Sequence, residues 1–158
     1  EWYTPFEGIE VRLSHEKCLT INAPAVCSQT LVTNDIAELQ TFKTDENEAF
    51  VRFRIIGRKD NVIDSGGVKI QIEELERTLK PHLSGDFAIT SITDEKFGEA
   101  VVLLTTLTDI TIVDAICKNI LPKFWQPRHI FHTDNIPQTE TGKPARANIR
   151  QLARQINK

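Results

Sequence analysis

One lysine near the carboxyl end stands in a segment that could place it against an anion. Residues 137–146 read Pro-Gln-Thr-Glu-Thr-Gly-Lys-Pro-Ala-Arg, so prolines flank a short loop and Gly142 can turn the chain just before Lys143. The loop would present the ammonium group at its tip, immediately before a predicted helix. Such a lysine is either a solvated charge or the partner of an anionic ligand. The loop by itself favours the solvated interpretation, because most exposed lysines bind nothing specific.

A second segment, residues 55–76, could bring backbone atoms close to a ligand. It contains a strand-like start, a charged turn with Asp60, a glycine pair at Gly66 and Gly67, and a helical stretch with Glu-Leu-Glu at 74–76. Adjacent glycines allow positive φ angles and a close approach of the backbone to a ligand. The alternative interpretation is an ordinary hairpin with a polar turn.

Signatures of several other function classes are missing from the sequence. The seven glycines form neither Gly-x-Gly-x-x-Gly nor Gly-x-x-x-x-Gly-Lys-Ser/Thr, so the chain has no self-contained phosphate cradle. The four histidines lack metal-ligand spacing, so we predict no metal site and expect His129 and His132 to be strand residues. Cys18, Cys27 and Cys117 include no Cys-x-x-Cys pair, which is typical of reduced thiols in a cytoplasmic protein.

The composition predicts a soluble, intracellular protein of one domain or two small ones. The chain has 158 residues, of which 40% are hydrophobic and 26% charged. No stretch approaches the ~18 consecutive apolar residues of a membrane span, and no secretory signal is recognisable. The isoelectric point of about 5.8 argues against a general nucleic-acid binder, for which a domain value above roughly 9 is expected. The oligomeric state cannot be inferred from the sequence.

The elements that must position these residues change in character near Gly57. Alternating apolar and polar residues predict short strands of a small antiparallel sheet, or of a barrel edge, in the first part. Helices alternate with strands in the second part. The sequence therefore predicts an α+β fold with domains 1–57 and 58–158. The predicted strands are 9–13, 19–21, 51–55, 87–93 and 100–107, and the apolar stripes of the predicted helices span 72–79, 112–121 and 145–156.

The two segments together resemble the adenylate-forming acyl-CoA synthetases of the ANL superfamily. Residues 57–76 are similar to the hinge motif of the family, and residues 137–146 to its catalytic-lysine motif. Three further pieces agree in type and order: Thr-Asn-Asp at 33–35 with Thr-Gly-Asp, Phe-Gly-Glu at 97–99 with aromatic-Gly-Glu, and 121–127 with Leu-Pro-x-aromatic-x-x-Pro. Five ordered matches are a specific signal, although each one alone is weak.

The resemblance implies an acid–thiol ligase that joins a small-molecule carboxylate to AMP and then passes the acyl group to CoA. Residues 1–57 would be the β-rich end of a large N-terminal adenylation domain, and residues 58–158 a mobile C-terminal lid. ATP, CoA and Mg²⁺ are implied, with the Mg²⁺ ligands, the phosphate loop and the acyl pocket in a preceding part. We therefore expect this chain to be a piece of a longer protein and to be inactive alone.

The resemblance also implies roles for individual residues. Asp35 would bind the ribose hydroxyls of the nucleotide, with a turn cap as the alternative, and Arg58 would add donors to the same sugar, with a surface ion pair as the alternative. The remaining implied roles are Lys143 as the catalytic lysine, Asp60 as the hinge, and Gly66 and Gly67 as CoA-binding residues on the pantetheine path.

Within the family, residues 3–13, 31–37 and 60–67 look most like the o-succinylbenzoate:CoA ligases of menaquinone synthesis. Three positions depart from the usual family pattern: Asn34 replaces glycine, Asp64 stands where many relatives have lysine, and Ile72 stands where proline is common. None of them removes a group that the reaction needs. The role of Asp64 is left open by the sequence.

Two rival functions remain. The chain could be a free-standing binding module, in which Arg146, Arg150, Arg154 and Lys158 contact nucleic acid or an acidic partner. The negative net charge of −3 speaks against nucleic acid. The chain could also be a non-catalytic relative of the ligases, but the presence of both Lys143 and Asp35 speaks against it.

Overall fold

A computed structural model describes residues 1–43 and 49–158, which form two compact units, Glu1–Asn61 and Val62–Lys158. We call them the N-terminal unit and the C-terminal unit. The division falls after Asn61, whereas the predicted domain boundary follows residue 57. The assignment of 1–57 and 58–158 as domains stays a prediction.

The N-terminal unit is one four-stranded antiparallel sheet in the order β1-β2-β3-β4. The predicted strands at 9–13, 19–21 and 51–55 are confirmed, since each overlaps an observed strand. A 3-10 helix, Lys59–Asn61, follows the sheet. The strands are β1 (Glu10–Leu13), β2 (Cys18–Asn22), β3 (Leu31–Lys43) and β4 (Ala49–Arg58).

The 13-residue strand β3 is longer than any strand that the sequence predicts. Its stretch contains Asn34, Asp35 and Glu38, types that are depleted in strands. Pairing with β4 over nine positions overrides this local preference, from Asp35 opposite Arg58 to Lys43 opposite Ala49. The register shifts by one residue after Ile36, which marks a β-bulge beside Asp35.

The C-terminal unit contains a five-stranded sheet and three helices. Its strands run in the order β6-β5-β8-β7, and β9 pairs in parallel with β8. The predicted strands at 87–93 and 100–107 and the three predicted helices are confirmed. The elements are β5 (Val62–Ser65), β6 (Val68–Gln71), α1 (Ile72–Leu79), β7 (Phe87–Asp94), β8 (Gly98–Thr105), α2 (Ile110–Ile120), β9 (His129–His132) and α3 (Arg146–Ile156).

Helices cover both faces of this sheet. Val101 and Leu103 of β8 pack in one core cluster with apolar residues of α1 and α2. Val102 and Leu104 belong to a second cluster with α3. Successive residues of a strand point to opposite faces, so the nearly continuous apolar sequence of β8 serves both clusters. The predicted α+β fold, a small antiparallel sheet followed by a compact α+β unit, is confirmed.

Helix α2 is rotated relative to its predicted apolar stripe. Val113 and Cys117 are buried, whereas Ile112 is 57% exposed. Asp109 begins the helix by accepting hydrogen bonds from two backbone N–H groups, and Pro122 follows its end.

All three cysteines are free thiols. Burial raises the pKa of the Cys117 thiol to about 11, which makes this thiol unreactive.

Candidate functional site

The predicted nucleotide-binding residues lie side by side at the end of the β3–β4 ladder. Asp35 and Arg58 are directly opposite each other in the register. The Arg58 Nη1 atom lies 3.6 Å from Asp35 Oδ1, and its Nη2 atom lies 3.2 Å from Asp60 Oδ2. The structure therefore brings Asp35, Arg58 and Asp60 into one cluster, which we call the carboxylate cluster.

The backbone around Asp35 is held by a neighbouring threonine. The Thr33 hydroxyl donates to the carbonyl of Leu19, at 2.9 Å, and accepts the backbone N–H of Asp35, at 3.1 Å. The hydroxyl thus ties β3 to β2 just where the carboxylate projects. The amide of Asn34 reaches Asp60 Oδ2 at 3.5 Å, so a residue that departs from the family pattern contacts the predicted hinge.

The carboxylate cluster is open to solvent and can receive a ligand. The side chains of Asp35, Arg58 and Asp60 are 37%, 51% and 59% exposed. A carboxylate oxygen at 3.6 Å from a guanidinium retains lone pairs for other donors, and two vicinal hydroxyls can share one carboxylate. The arrangement suits a polyol such as a ribose.

A second contact at the predicted hinge could not be expected from any sequence motif. The Lys59 ammonium donates to Glu16 Oε2 at 2.6 Å, across 43 residues of sequence. This hydrogen bond lowers the pKa of Glu16 and raises the pKa of Lys59. The side chains of Lys59 and Asp60 both form contacts within the N-terminal unit. These contacts fix the backbone almost to the end of that unit at Asn61.

The glycine pair forms the two-residue turn of the β5–β6 hairpin. Gly66 and Gly67 have φ angles of +63° and +83°, as a type I′ turn requires, between the paired residues Ser65 and Val68. The hairpin alternative from the sequence is therefore correct as a description of local structure. The carboxylate of Asp64 accepts the Gly67 N–H at 3.1 Å, which gives this departing residue a structural role in the turn.

The same turn borders a groove of about 410 Å³ in the C-terminal unit. The Arg128 guanidinium lies over the Phe97 ring, 3.8 Å from its centroid, and the Gly66 N–H donates to the Phe97 carbonyl at 2.8 Å. Two cations beside apolar surface suit a ligand with an apolar arm and an anionic end. The groove is lined, among others, by Gly66, Val68, Phe97, Lys123, Phe124 and Arg128.

Lys143 is exposed at the end of a short, internally bonded loop. Gln138 and Pro144 form an isolated antiparallel bridge. The Thr139 N–H donates to the Lys143 carbonyl at 2.7 Å, and the Thr139 hydroxyl accepts the Lys143 N–H at 3.2 Å. Gly142 has a φ of +75°, which lets the chain reverse there. The lysine backbone is therefore fixed while its ammonium group is free to meet a ligand.

Helix α3 begins three residues later and carries two ion pairs. Arg146 donates to both carboxylate oxygens of Glu76, at 2.6 and 2.7 Å, and Arg150 pairs with Glu99. Two of the four basic residues that the sequence offers for contact with nucleic acid or an acidic partner are thus engaged inside the unit, by partners 70 and 51 residues away in the sequence. Charge patterning alone could not reveal these partners.

Two absences apply to the described part of the chain. Within residues 1–43 and 49–158, no three His, Cys, Asp or Glu side chains converge as a set of metal ligands. Over the same ranges, no helix combines the length and the apolar character that crossing a membrane requires.

Comparison with known proteins relates the chain to AMP-forming acyl-CoA ligases. No family model matches it. It is 34% identical over 103 residues to oxalate–CoA ligase of Arabidopsis thaliana. The aligned region covers 61% of this chain and 20% of that protein. The chain thus spans about a fifth of that relative's length.

Two solved structures resemble this chain in fold. An acyl-CoA synthetase (AMP-forming)/AMP-acid ligase II-like protein of Dyadobacter fermentans superimposes with a TM-score of 0.54 and 26% identity, over 96% of this chain and 43% of that one. The o-succinylbenzoate CoA synthetase of Bacillus subtilis matches with a TM-score of 0.72 and 18% identity, over 92% and 34%, and this likeness concerns the fold. The Arabidopsis thaliana and Dyadobacter fermentans proteins are thus an acyl-CoA ligase and an acyl-CoA synthetase-like protein, and the Bacillus subtilis structure shares the fold.

Proposed function

We propose that this chain is the C-terminal part of an ATP-dependent carboxylate:CoA ligase. The enzyme joins a carboxylate to AMP with release of pyrophosphate, and then transfers the acyl group to the CoA thiol. The observation that carries the proposal is the braced loop that holds Lys143 exposed, in a chain whose relatives are acyl-CoA ligases.

The carboxylate cluster is proposed to hold the nucleotide. Asp35 accepts hydrogen bonds from the ribose hydroxyls, and Arg58 adds donors to the same sugar while it stays near Asp35. Their exposure and the anchoring of the Asp35 backbone by Thr33 support this role. ATP is recognised here by its sugar, since the phosphate cradle is expected outside this chain.

Lys143 is proposed to act in adenylation. Negative charge concentrates on the phosphate oxygens as the carboxylate attacks, and an ammonium group with three donors stabilises that charge. Mg²⁺, when bound by the preceding part of the protein, would supply further positive charge.

Thioester formation is proposed to use the groove beside Gly66. Its apolar wall would hold the pantetheine arm of CoA. Its two cations, Lys123 and Arg128, would bind the anionic end. Asp60 is the proposed hinge between the two half-reactions. The boundary between the two units, after Asn61, lies next to Asp60 and supports this assignment.

For the acid itself we propose o-succinylbenzoate, and hence a role in menaquinone synthesis in the cytoplasm. Support comes from the similarity of residues 3–13, 31–37 and 60–67 to that subfamily. The sequence relative named above acts on a different acid, oxalate, so substrate identity is a separate question from reaction type.

The test is ATP–pyrophosphate exchange by the intact protein with a panel of acids that includes o-succinylbenzoate and oxalate. We expect exchange with one of them, and Lys143→Ala to reduce its rate about 10²–10³-fold, which corresponds to roughly 3–4 kcal/mol. Lys158→Ala, a matched change of another exposed lysine, should leave the rate unchanged. Exchange that is unaffected by Lys143→Ala would remove the proposed role.

A further inference from the structure

We infer that Arg146 and Glu76 are positioning residues for Lys143, holding the loop that presents its ammonium group. The inference rests on the function proposed above, because it concerns how Lys143 is placed for adenylation. Neither residue is proposed to touch the substrate.

The Arg146–Glu76 pair is bidentate and partly buried. Arg146 Nη1 and Nη2 lie 2.6 and 2.7 Å from the two oxygens of Glu76, and the side chains are 26% and 19% exposed. Burial disfavours the charge of Arg146, but the hydrogen bond to Glu76 and the negative charges of Glu76 and Glu73 together outweigh burial and raise the pKa of Arg146. A bidentate pair of this kind fixes both the position and the orientation of the guanidinium plane.

Glu76 is itself fixed to the sheet. Its Oε1 atom also accepts the backbone N–H of Ile89 at 2.9 Å, and Arg146 Nη1 lies 3.4 Å from the carbonyl of the same residue. One carboxylate thus joins α1, the third residue of β7 and the first residue of α3. The start of α3 is anchored to the most buried part of the C-terminal unit.

The anchor acts on Lys143 through a short, stiff connection. Only Pro144 and Ala145 separate the lysine from Arg146, and proline fixes one backbone angle. The Ala145 N–H donates to the Pro137 carbonyl at 3.0 Å, so the two ends of the loop are joined at the same point. Displacement of Arg146 would therefore displace the whole loop.

Two features of α3 argue that this anchor is not an ordinary helix start. The residue before the helix, Ala145, supplies no side-chain cap. In addition, a cation in the first turn opposes the helix dipole, which favours anions there. Arg146 stands at an unfavourable position for the helix alone, and its contacts with Glu76 and Ile89 explain why it is there.

The same helix provides a matched control. Arg150 forms an ion pair with Glu99 one turn further on, so Arg150→Ala removes a pair of the same chemistry that lies farther from Lys143. Arg154, in the last turn, is exposed and controls for loss of one positive charge.

The experiment measures both half-reactions in the intact protein: ATP–pyrophosphate exchange, and CoA thioester formation from supplied acyl adenylate. We expect Arg146→Ala to slow adenylation about 10- to 100-fold, as small displacements of a catalytic group do, and to leave thioester formation unchanged. Arg150→Ala and Arg154→Ala should change neither rate. In a Lys143→Ala background, adding Arg146→Ala should have no further effect, because the group that it positions is gone.

Equal loss of both half-reactions in Arg146→Ala, or the same loss when Lys143 is absent, would overturn the inference. If thermal unfolding shows that Arg146→Ala does not fold, Glu76→Gln takes its place, since the amide oxygen still accepts the Ile89 N–H. It should give the same pattern with a smaller loss.

A protein without exchange activity on any acid would contradict the proposed function but would still allow a test of the positioning. The backbone order parameters of Gly142 and Lys143 should then fall in Arg146→Ala, while those of Gly66 and Gly67 stay constant. Unchanged order parameters in the loop would contradict the positioning role directly.

Discussion

The two units differ in how they bury apolar surface. Both core clusters lie entirely in the C-terminal unit, between Ile63 and Ala153. In the described part of the N-terminal unit, the buried apolar side chains are Cys18, Leu19 and Ala37. Large apolar side chains such as Phe6, at 84%, and Val32, at 61%, are exposed there. The C-terminal unit has the interior of an independent domain, and the described part of the N-terminal unit does not.

Cross-strand contacts take the place of a core in the N-terminal unit. Phe42 and Phe50 stack with their ring centroids 5.7 Å apart, and the Arg52 guanidinium lies 5.1 and 5.3 Å from the two centroids. Such cross-strand pairs contribute only about 0.2–1 kcal/mol each. A sheet held in this way needs a further apolar layer to be stable, which fits the proposal that it ends a larger domain.

The largest effect that this comparison predicts is on the two units produced separately. Residues 62–158 should unfold cooperatively on heating and give a dispersed amide NMR spectrum, because they contain both core clusters. Residues 1–61 should give the narrow spectrum of an unfolded chain, because hydrophobic burial is the main stabilising contribution to folding. A cooperative transition in residues 1–61 alone would contradict the comparison.

The same difference explains what could be predicted from the sequence. The helices of the C-terminal unit were predictable because Ile72, Leu75 and Leu79 repeat at helical spacing and pack into a core. Strand β3 was missed because its pairing with β4, rather than its own composition, makes it a strand. In the sheet of the N-terminal unit, local pattern and structure are therefore less closely linked.

The candidate site also contains residues that the sequence indicates and residues that only the fold reveals. Asp35, Arg58, Asp60 and Lys143 could be proposed from the sequence because each lies in a short motif. Glu76 was not assigned a role, because its partner Arg146 is 70 residues away and only the fold brings them together. Motifs reveal groups that could meet a ligand, whereas the groups that position them depend on long-range packing.

A smaller effect is expected when a glycine of each unit, with similar backbone conformation, is replaced by alanine and the losses of unfolding free energy are compared. Gly66 and Gly8 have φ angles of +63° and +77°, so alanine at either position costs roughly 1–2 kcal/mol in backbone strain. A Cβ atom on Gly66 would also lie 2.8 Å from the Phe97 ring, whereas one on Gly8 would have no neighbour within 4 Å. We expect Gly66→Ala to lower the free energy of unfolding by more than Gly8→Ala, measured by urea denaturation of the intact protein.

Equal losses at the two glycines would show that the Phe97 ring moves aside freely and that the hairpin turn is not tightly packed. Phe97→Leu combined with Gly66→Ala separates the two causes. The smaller side chain should relieve the contact with the new Cβ atom and leave only the backbone strain. In the Phe97→Leu background, Gly66→Ala should therefore lower the free energy of unfolding by no more than Gly8→Ala does in the original protein.

The smallest effect concerns one carboxylate in each unit and its response to pH and salt. The pKa of Asp94 is lowered chiefly by the backbone N–H of Phe97, and the pKa of Glu16 chiefly by its hydrogen bond with Lys59. Both pKa values are lower in the folded state than in the unfolded state. Each carboxylate therefore stabilises the fold above its unfolded-state pKa, and this contribution is lost as the pH falls through its folded-state pKa.

Salt should separate the two carboxylates. The partner of Glu16 is an exposed ammonium group, so ions screen the attraction, and the pKa of Glu16 should rise toward its ordinary value between 0.05 and 1 M NaCl, as the Debye length falls to about 3 Å. Asp94 is held mainly by neutral backbone donors, at 2.8 Å from Phe97 N and 2.9 Å from Lys96 N, so its pKa should move much less. Carboxyl ¹³C NMR titration of the intact protein measures both shifts. Equal salt responses would mean that the turn at Asp94 depends on the nearby charge of Arg128 rather than on its own backbone.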